Sequence, residues 1–84
     1  MKAIVRKPTE EEIKELQNCP TWSCEASTFP WYFDEDETCL ILEGEATVKY
    51  DGGEVSFKGG DLVIFPKGMK STWEVSKPIK KHYK

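Results

Sequence analysis

From Trp22 onward, turn-favouring residues divide the chain at short and regular intervals. Runs of residues with high β-propensity lie between them, and Asp51-Gly52 separates the runs EATVKY and EVSF. Asp-Gly at such a position indicates a tight hairpin, because glycine tolerates the positive φ that the turn requires. The turn signals are Pro30, Gly44, Asp51-Gly52-Gly53, Gly59-Gly60, Pro66-Lys67-Gly68 and Pro78. This spacing is typical of an all-β sandwich or barrel.

The segment before Trp22 has a different pattern. Residues 3–5 predict a short strand, and Thr9 followed by Glu12 forms a capping box that indicates the start of a helix. We predict that this helix continues to about Gln17 and docks on the sheet through one narrow apolar face.

Chain length favours a single domain and an association of subunits. Eighty-four residues form one domain, in which we predict the N-terminal strand and helix in about residues 1–20 and the barrel in about residues 22–84. A domain of this size buries only about 60–65% of its unfolded surface, so we expect a homodimer. Its ten aromatic residues supply a core and exclude a disordered chain.

Charged residues fall into an acidic central block and a basic C-terminal block. Both blocks are predicted to face solvent, as single-sign runs in small domains usually do. A net charge of -3 and the lack of an arginine-aromatic repeat argue against nucleic-acid binding. The acidic block is Asp34, Glu35, Asp36, Glu37, Glu43 and Glu45, and the basic block is Lys67, Lys70, Lys77, Lys80, Lys81 and Lys84.

Cysteine usage and hydropathy indicate a cytoplasmic protein. The three cysteines, Cys19, Cys24 and Cys39, form no Cys-x-x-Cys pair and are odd in number, which suits reduced thiols, although a Cys19–Cys24 bridge stays open. No run approaches the ~18 apolar residues of a membrane span. The basic N-terminal residues precede no apolar block, so we expect neither a secretory signal nor membrane association.

The strand that begins at Glu37 is apolar on both of its faces. Side chains alternate with a period of two, so Glu37 shares one face with Cys39 and Ile41, whereas Leu40 and Leu42 share the other. We therefore expect both faces to be buried.

The run KSTWEVS alternates more clearly between apolar and polar residues. Its period of two places Ser71 and Val75 on the same face as Trp73. We predict that this face points into the barrel.

Two segments resemble the two motifs of the cupin family. Glu37 and Gly44, separated by six residues, match the end of the first motif, G-x5-H-x-H-x3 or 4-E-x6-G. The segment GDLVIFPKGMKSTWEV resembles the second motif, G-x5-P-x-G-x2-H-x3-N, with Gly60, Pro66 and Gly68 at the expected spacing. The chain is identified as a member of the cupin family, which implies a double-stranded jelly-roll barrel with an interior able to hold a ligand.

The resemblance also implies a divalent metal, which typical cupins bind through three histidines and a glutamate. Of these ligands only Glu37 is present in this chain. We therefore predict no metal cofactor, because one carboxylate and one hydroxyl are too few donors. A manganese or zinc site built from Glu37, Cys39 and Ser71, with Tyr32 as a further candidate ligand, remains the alternative. The histidine positions fall on Trp31 and Phe33, or on Pro30 and Tyr32, and on Ser71.

Within the cupins, the chain most resembles small single-domain proteins grouped with the (S)-ureidoglycine aminohydrolase cupin domain. The segments FPWYFDEDETCLILEG and GDLVIFPKGMKSTWEVSKP and the ending KKHY carry this resemblance. It implies a manganese-dependent hydrolase as one alternative function, although that enzyme has two cupin domains and the histidine ligands.

Glu37 is the candidate catalytic residue, since a carboxyl group among aromatic rings can serve as a general acid or base. The alternative is a structural glutamate with a hydrogen-bonded partner, and Cys39 is expected to be a packed, inert thiol. His82 is expected to pack or hydrogen-bond at an edge. We predict a small molecule bound around Glu37; the alternatives are the hydrolase and a non-catalytic dimeric module. The predicted ligand contacts are Trp31, Phe33, Cys39, Phe65, Ser71 and Trp73.

Overall fold

A computed structural model describes residues 1–84 and confirms a mostly β architecture with one short helix. The single helix has seven residues, and no helix of the chain is long and apolar enough to cross a membrane. The elements are β1 (Ile4–Arg6), α1 (Glu10–Leu16), β2 (Thr21–Cys24), β3 (Ser27–Tyr32), β4 (Glu37–Tyr50), β5 (Gly53–Lys58), β6 (Leu62–Phe65) and β7 (Lys70–Tyr83).

The two long strands, β4 and β7, connect two antiparallel layers. In one layer the order is β1-β6-β4-β7-β2, where residues 37–40 of β4 pair with β6 and residues 79–82 of β7 pair with β2. In the other layer, residues 45–50 of β4 pair with β5, and residues 70–75 of β7 pair with β3. Register shifts between Ile41 and Ala46 mark the bend where β4 passes from one layer to the other. The result is the jelly roll that the cupin resemblance implies.

Two glycines with positive φ make the turns of β4 possible. Gly52 has φ +96° in the turn of the β4–β5 hairpin, where Tyr50 pairs with Gly53, as the Asp-Gly signal predicted. Gly44 also has φ +96° and lies at the bend, where a Cβ atom would be 2.1 Å from the carbonyl oxygen of Pro78. A side chain at this position is therefore excluded by the close approach of β7.

The hydrophobic core lies between the two layers. It includes Cys39 and Ile41 of β4, and Trp73, Val75 and Ile79 of β7, which confirms the predicted inward phase of both strands. The core cluster of thirteen buried residues is completed by Ala3, Phe33, Ala46, Val48, Phe57, Val63, Phe65 and Met69.

Helix α1 covers the outer face of the first layer, where Leu16 packs with Leu40 and Leu62. The prediction that both faces of β4 are buried is confirmed at Leu40 but is wrong at Leu42, which is 39% exposed. Leu42 lies at the register shift between Ile41 and Glu43. The pairing of β4 with β6 ends at Leu40, so β6 does not cover the Leu42 side chain.

The helix starts at the predicted capping box. Thr9 Oγ1 accepts from the Glu12 amide at 3.2 Å, and the Thr9 amide donates to Glu12 Oε1 at 2.9 Å. Arg6 also donates to both oxygens of Glu12, at 2.7 and 2.6 Å. The hydrogen bonds from Arg6, followed by the one from Thr9, lower the pKa of Glu12 from 4.5 to about 2.

This shift predicts a specific pH dependence for the variant Glu12→Gln. A carboxyl group whose pKa is lower in the folded state stabilises the protein above its unfolded pKa and loses this contribution as the pH falls through the folded pKa. The stability advantage of the wild type over Glu12→Gln should therefore be full above about pH 4.5 and disappear near pH 2. Urea unfolding of both proteins across this range tests the prediction, and a difference that does not change with pH would refute it.

Candidate functional site

An aromatic cavity opens beside the C-terminal half of β7. Its volume is about 140 Å³, and five of its seven lining residues are aromatic, so almost all of its wall can contact an apolar or flat molecule. The two polar lining residues are an acid and a base. The lining residues are Trp22, Phe29, Trp31, Glu37, Trp73, Lys81 and Tyr83.

Glu37 and Lys81 form an ion pair at the polar side of this cavity, with Cys39 beside them. Lys81 Nζ lies 2.7 Å from Glu37 Oε2 and 3.3 Å from Cys39 Sγ, and the Cys39 thiol donates to the same Glu37 oxygen at 3.1 Å. Glu37 is the first residue of β4, and Lys81 pairs with Ile41 across the β4–β7 ladder. Lys81 therefore supplies the charge opposite to Glu37 inside the barrel.

Three aromatic rings surround the Lys81 ammonium group. Its Nζ is 5.1 Å from the ring centroid of Trp22, 5.2 Å from that of Trp73 and 5.5 Å from that of Tyr83. All three distances are within the ~6 Å range of a cation–π interaction. Lys81 is thus a cation belonging to the protein itself, held between a carboxylate and three rings.

The prediction that Lys81 belongs to a solvated basic block is wrong. Lys81 is only 5% exposed, although the neighbouring Lys80 is exposed. The reason is strand phase: Lys81 is eight residues after Trp73 on the continuous strand β7, and an even separation places both on the inner face.

Two pKa shifts define the protonation of the site. Burial alone would lower the pKa of Lys81, but its interactions with Cys39 and with the Glu37 carboxylate, including a hydrogen bond to each, outweigh burial and raise the pKa above 10.5. Burial is also the main reason that the pKa of the Cys39 thiol is raised from 9.0 to about 12. At neutral pH the site therefore contains an ammonium group and an un-ionised thiol.

Cys39 should consequently be the least reactive thiol of the folded protein. It is fully buried, and the rise of its pKa from 9.0 to about 12 lowers its thiolate fraction about a thousandfold at pH 8. Iodoacetamide at pH 8 should modify Cys19 and Cys24 in the native protein and Cys39 only after unfolding in urea, as read by peptide mass spectrometry. Native labelling of Cys39 at the rate of Cys19 would contradict this assignment.

The structure brings together three of the predicted site residues, because Trp31, Glu37 and Trp73 all line the cavity. Phe33 and Phe65 do not line it. Their rings stack on each other at 4.4 Å, and both residues are fully buried in the core.

The remaining two predicted contacts lie next to the cavity rather than in its wall. Cys39 lies behind the ion pair and has no exposed surface. The Ser71 hydroxyl donates to the carbonyl oxygen of Trp31 at 2.8 Å, so it holds β3 on β7 and does not reach Glu37. His82 also lies elsewhere, with Nδ1 2.9 Å from the carbonyl oxygen of Cys19.

Four lining residues were missed from the sequence: Trp22, Phe29, Lys81 and Tyr83. The inward phase of Trp73, extended along β7, would have identified Lys81 and Tyr83, since both have the same parity. Trp22 and Phe29 belong to β2 and β3, which contact Trp73 only through the tertiary fold. No local pattern reveals that contact.

Trp73 contributes one further feature to the cavity. Its indole Nε1 is buried and has no hydrogen-bond partner in the chain. Every other buried side-chain nitrogen or oxygen atom has a partner. Buried polar groups almost always have a partner, whether protein, water or ligand.

The residues of the barrel do not fit the divalent metal that the cupin fold implies. No group of three or more His, Cys, Asp or Glu side chains converges anywhere in the chain. The only carboxylate at the site, Glu37, is already paired with the Lys81 ammonium, so a divalent cation would have to displace a buried positive charge. Positive charge is therefore supplied to Glu37 by the chain itself.

Comparison with known proteins places this barrel in a family. The family model for the EutQ-like cupin domain matches residues 11–83, which include the whole cavity. The chain belongs to the EutQ-like cupin family. This EutQ-like cupin is similar to the acetate kinase EutQ of Clostridioides difficile, with 33% identity over 67 residues, and to that of Escherichia coli, with 34% identity over 56 residues. The matches cover 80% and 67% of this chain but only 42% and 24% of those relatives.

Solved structures agree with this assignment. A DUF861 family protein from Thermotoga maritima superposes with a TM-score of 0.92 at 43% identity, covering 99% of this EutQ-like cupin and 98% of that protein. The EutQ protein of Clostridioides difficile superposes with a TM-score of 0.69 at 28% identity, covering 75% and 50% of the two chains. These relatives support the cupin family as predicted, whereas the narrower resemblance to ureidoglycine aminohydrolase is not shown by them.

Proposed function

We propose that this EutQ-like cupin binds a small organic molecule in the aromatic cavity, with Glu37 and Lys81 as its polar contacts and without a metal ion. The observation that carries the proposal is the composition of the cavity: five aromatic side chains surround a single ion pair. Ligand sites are typically concave and largely apolar, with a small number of placed polar groups that fix orientation.

Two features support binding rather than a filled core. Trp31 lines the cavity and is 50% exposed, so the cavity has an accessible mouth. The unpartnered Nε1 of Trp73 belongs to a wall residue, and a bound molecule is one way in which such a donor acquires an acceptor.

The ion pair favours a binding role for Glu37 over acid–base catalysis. One oxygen of Glu37 accepts from both Lys81, at 2.7 Å, and Cys39, at 3.1 Å, so the side chain is already held in place as a hydrogen-bond acceptor. Glu37 is thus suited to accept a hydrogen bond from a ligand. The candidate role of general acid is less well supported by this geometry.

The EutQ relatives are named acetate kinases, but acetate kinase activity is not the function that we propose for this chain. The chain spans less than half the length of those relatives. The cavity of about 140 Å³ is also well below the ~300–1,000 Å³ of ordinary cofactor and drug-sized sites, so it suits a far smaller molecule than a nucleotide.

Tryptophan fluorescence provides a direct test, because all three tryptophans of the chain line the cavity. A library of single-ring and short-chain molecules should contain compounds that change the emission and raise the melting temperature in a saturable way. No saturable binder among molecules of this size would remove the proposal.

Two neighbouring residues of β3 give a matched control. Trp31 and Tyr32 are exposed to similar extents, 50% and 53%, but only Trp31 lines the cavity. Trp31→Ala should weaken binding of any hit at least tenfold, whereas Tyr32→Ala should leave the affinity within about twofold. Equal effects of the two substitutions would place the binding site elsewhere.

A further inference from the structure

The cavity has room for about one six-membered ring. At about 140 Å³ it is close to the ~150 Å³ of an engineered apolar cavity that binds benzene in another protein. Its aromatic walls favour a small ring with a planar group, such as an amide, that can lie against them.

The ion pair leaves one hydrogen-bond donor and one acceptor unused. A lysine ammonium has three N–H donors, and Lys81 uses two of them, for Glu37 Oε2 and Cys39 Sγ. Glu37 Oε2 accepts both hydrogen bonds within the site, while Oε1 accepts none from the chain. Lys81 and Glu37 are paired and both line the cavity, so the unused donor and the unused acceptor belong to the same end of it.

The charges of the site favour a ligand with no net charge. Glu37 and Lys81 sum to zero, so an anion that approaches Lys81 also meets the Glu37 carboxylate. A cation that approaches Glu37 meets Lys81, which already occupies the position between the rings of Trp22, Trp73 and Tyr83. Like charges in a site of low dielectric disfavour both classes of charged ligand.

We propose that the cavity recognises a neutral, ring-sized molecule with an adjacent N–H and C=O, such as a lactam or a carboxamide. Lys81 donates its remaining N–H to the ligand carbonyl, and Glu37 Oε1 accepts from the ligand N–H. The ring of the ligand lies between the aromatic walls. This inference rests on the proposed function, because it names the ligand class of the same cavity.

A set of ring-sized probes that vary the hydrogen-bond donor, the acceptor and the charge tests this ligand class. The set contains δ-valerolactam, N-methyl-δ-valerolactam without the donor, cyclohexanone with only the acceptor, piperidinium as the cation and benzoate as the anion. Fluorescence titration and ligand-observed NMR should show δ-valerolactam binding at least tenfold more tightly than each of the others, because each of the others leaves a buried polar group of the site unpaired.

The outcomes separate this inference from the proposed function. Tightest binding of benzoate, piperidinium or the N-methyl lactam would overturn the ligand class while leaving a binding site in the cavity. Failure of every probe and of the whole single-ring library would overturn both.

A neutral double variant assigns the recognition to the two named residues. Glu37→Met combined with Lys81→Met removes both charges and every polar group of the two side chains, and its folding is checked by circular dichroism. In this variant the preference for δ-valerolactam over cyclohexanone should fall to within about twofold. A preference that persists at tenfold in the folded double variant would refute the roles of Lys81 and Glu37.

Discussion

Replacing Lys81 with methionine should destabilise the protein by about 3 kcal/mol. Methionine preserves most of the buried stem but leaves the Glu37 carboxylate without its partner at 2.7 Å. Removing one member of a buried ion pair typically costs about 3–5 kcal/mol. We expect the lower end of this range, because the Glu37 side chain is 19% exposed and can recover some hydration. Urea unfolding at pH 7 measures the loss.

The double variant provides the control for this prediction. When Lys81→Met is combined with Glu37→Met, no charge remains buried, and most of the lost stability should return, because replacing both members of a buried pair by apolar residues is often close to neutral. The double-mutant cycle should therefore give a coupling of at least about 2 kcal/mol. Additive losses from the two substitutions would mean that the side chains act independently and that the ion pair is not formed.

Gly44→Ala should produce the second large effect, a loss of more than about 4 kcal/mol or failure to fold. Gly44 has φ +96°, and a Cβ atom would lie 2.1 Å from the Pro78 carbonyl oxygen, a backbone atom that cannot move without separating β4 from β7. These two strands run through both layers and pair with each other in each of them. Thermal and urea unfolding of the purified variant measure the effect.

Gly60→Ala is the matched control, since Gly60 has φ +98° but no atom within 4 Å of an added Cβ. It carries the same backbone strain without the clash, so it should cost only about 1–2 kcal/mol. Equal losses at Gly44 and Gly60 would show that the close approach of β7 does not determine the stability of the bend.

Local rules were sufficient to predict most of this fold. Asp51-Gly52 located the β4–β5 hairpin, Thr9 and Glu12 located the helix start, and alternation placed Trp73 on the inner face of its strand. Each of these features depends on a few consecutive residues. Gly44 was also among the predicted turn signals. Only the structure shows why glycine is needed there, which is the close approach of the Pro78 backbone.

The candidate site was harder to predict, because it depends on which inward side chains meet at the same depth of the barrel. Phe65 and Trp73 were both predicted to contact the ligand, but only Trp73 reaches the cavity wall. Lys81 was assigned to solvent from its charge and its basic neighbours, although strand parity placed it inside. Within a strand that crosses both layers, parity was the better guide, since a buried lysine is tolerated once a carboxylate and aromatic rings surround it.

The central claim is that the cation of this barrel is its own lysine. A high-resolution crystal structure of protein crystallised with excess manganese or zinc tests this claim most directly. The account predicts continuous density for Lys81 with Nζ within hydrogen-bond distance of Glu37 Oε2 and no ion between them. An ion bound by Glu37 and Cys39, with the Lys81 side chain turned away from the three rings, would contradict it.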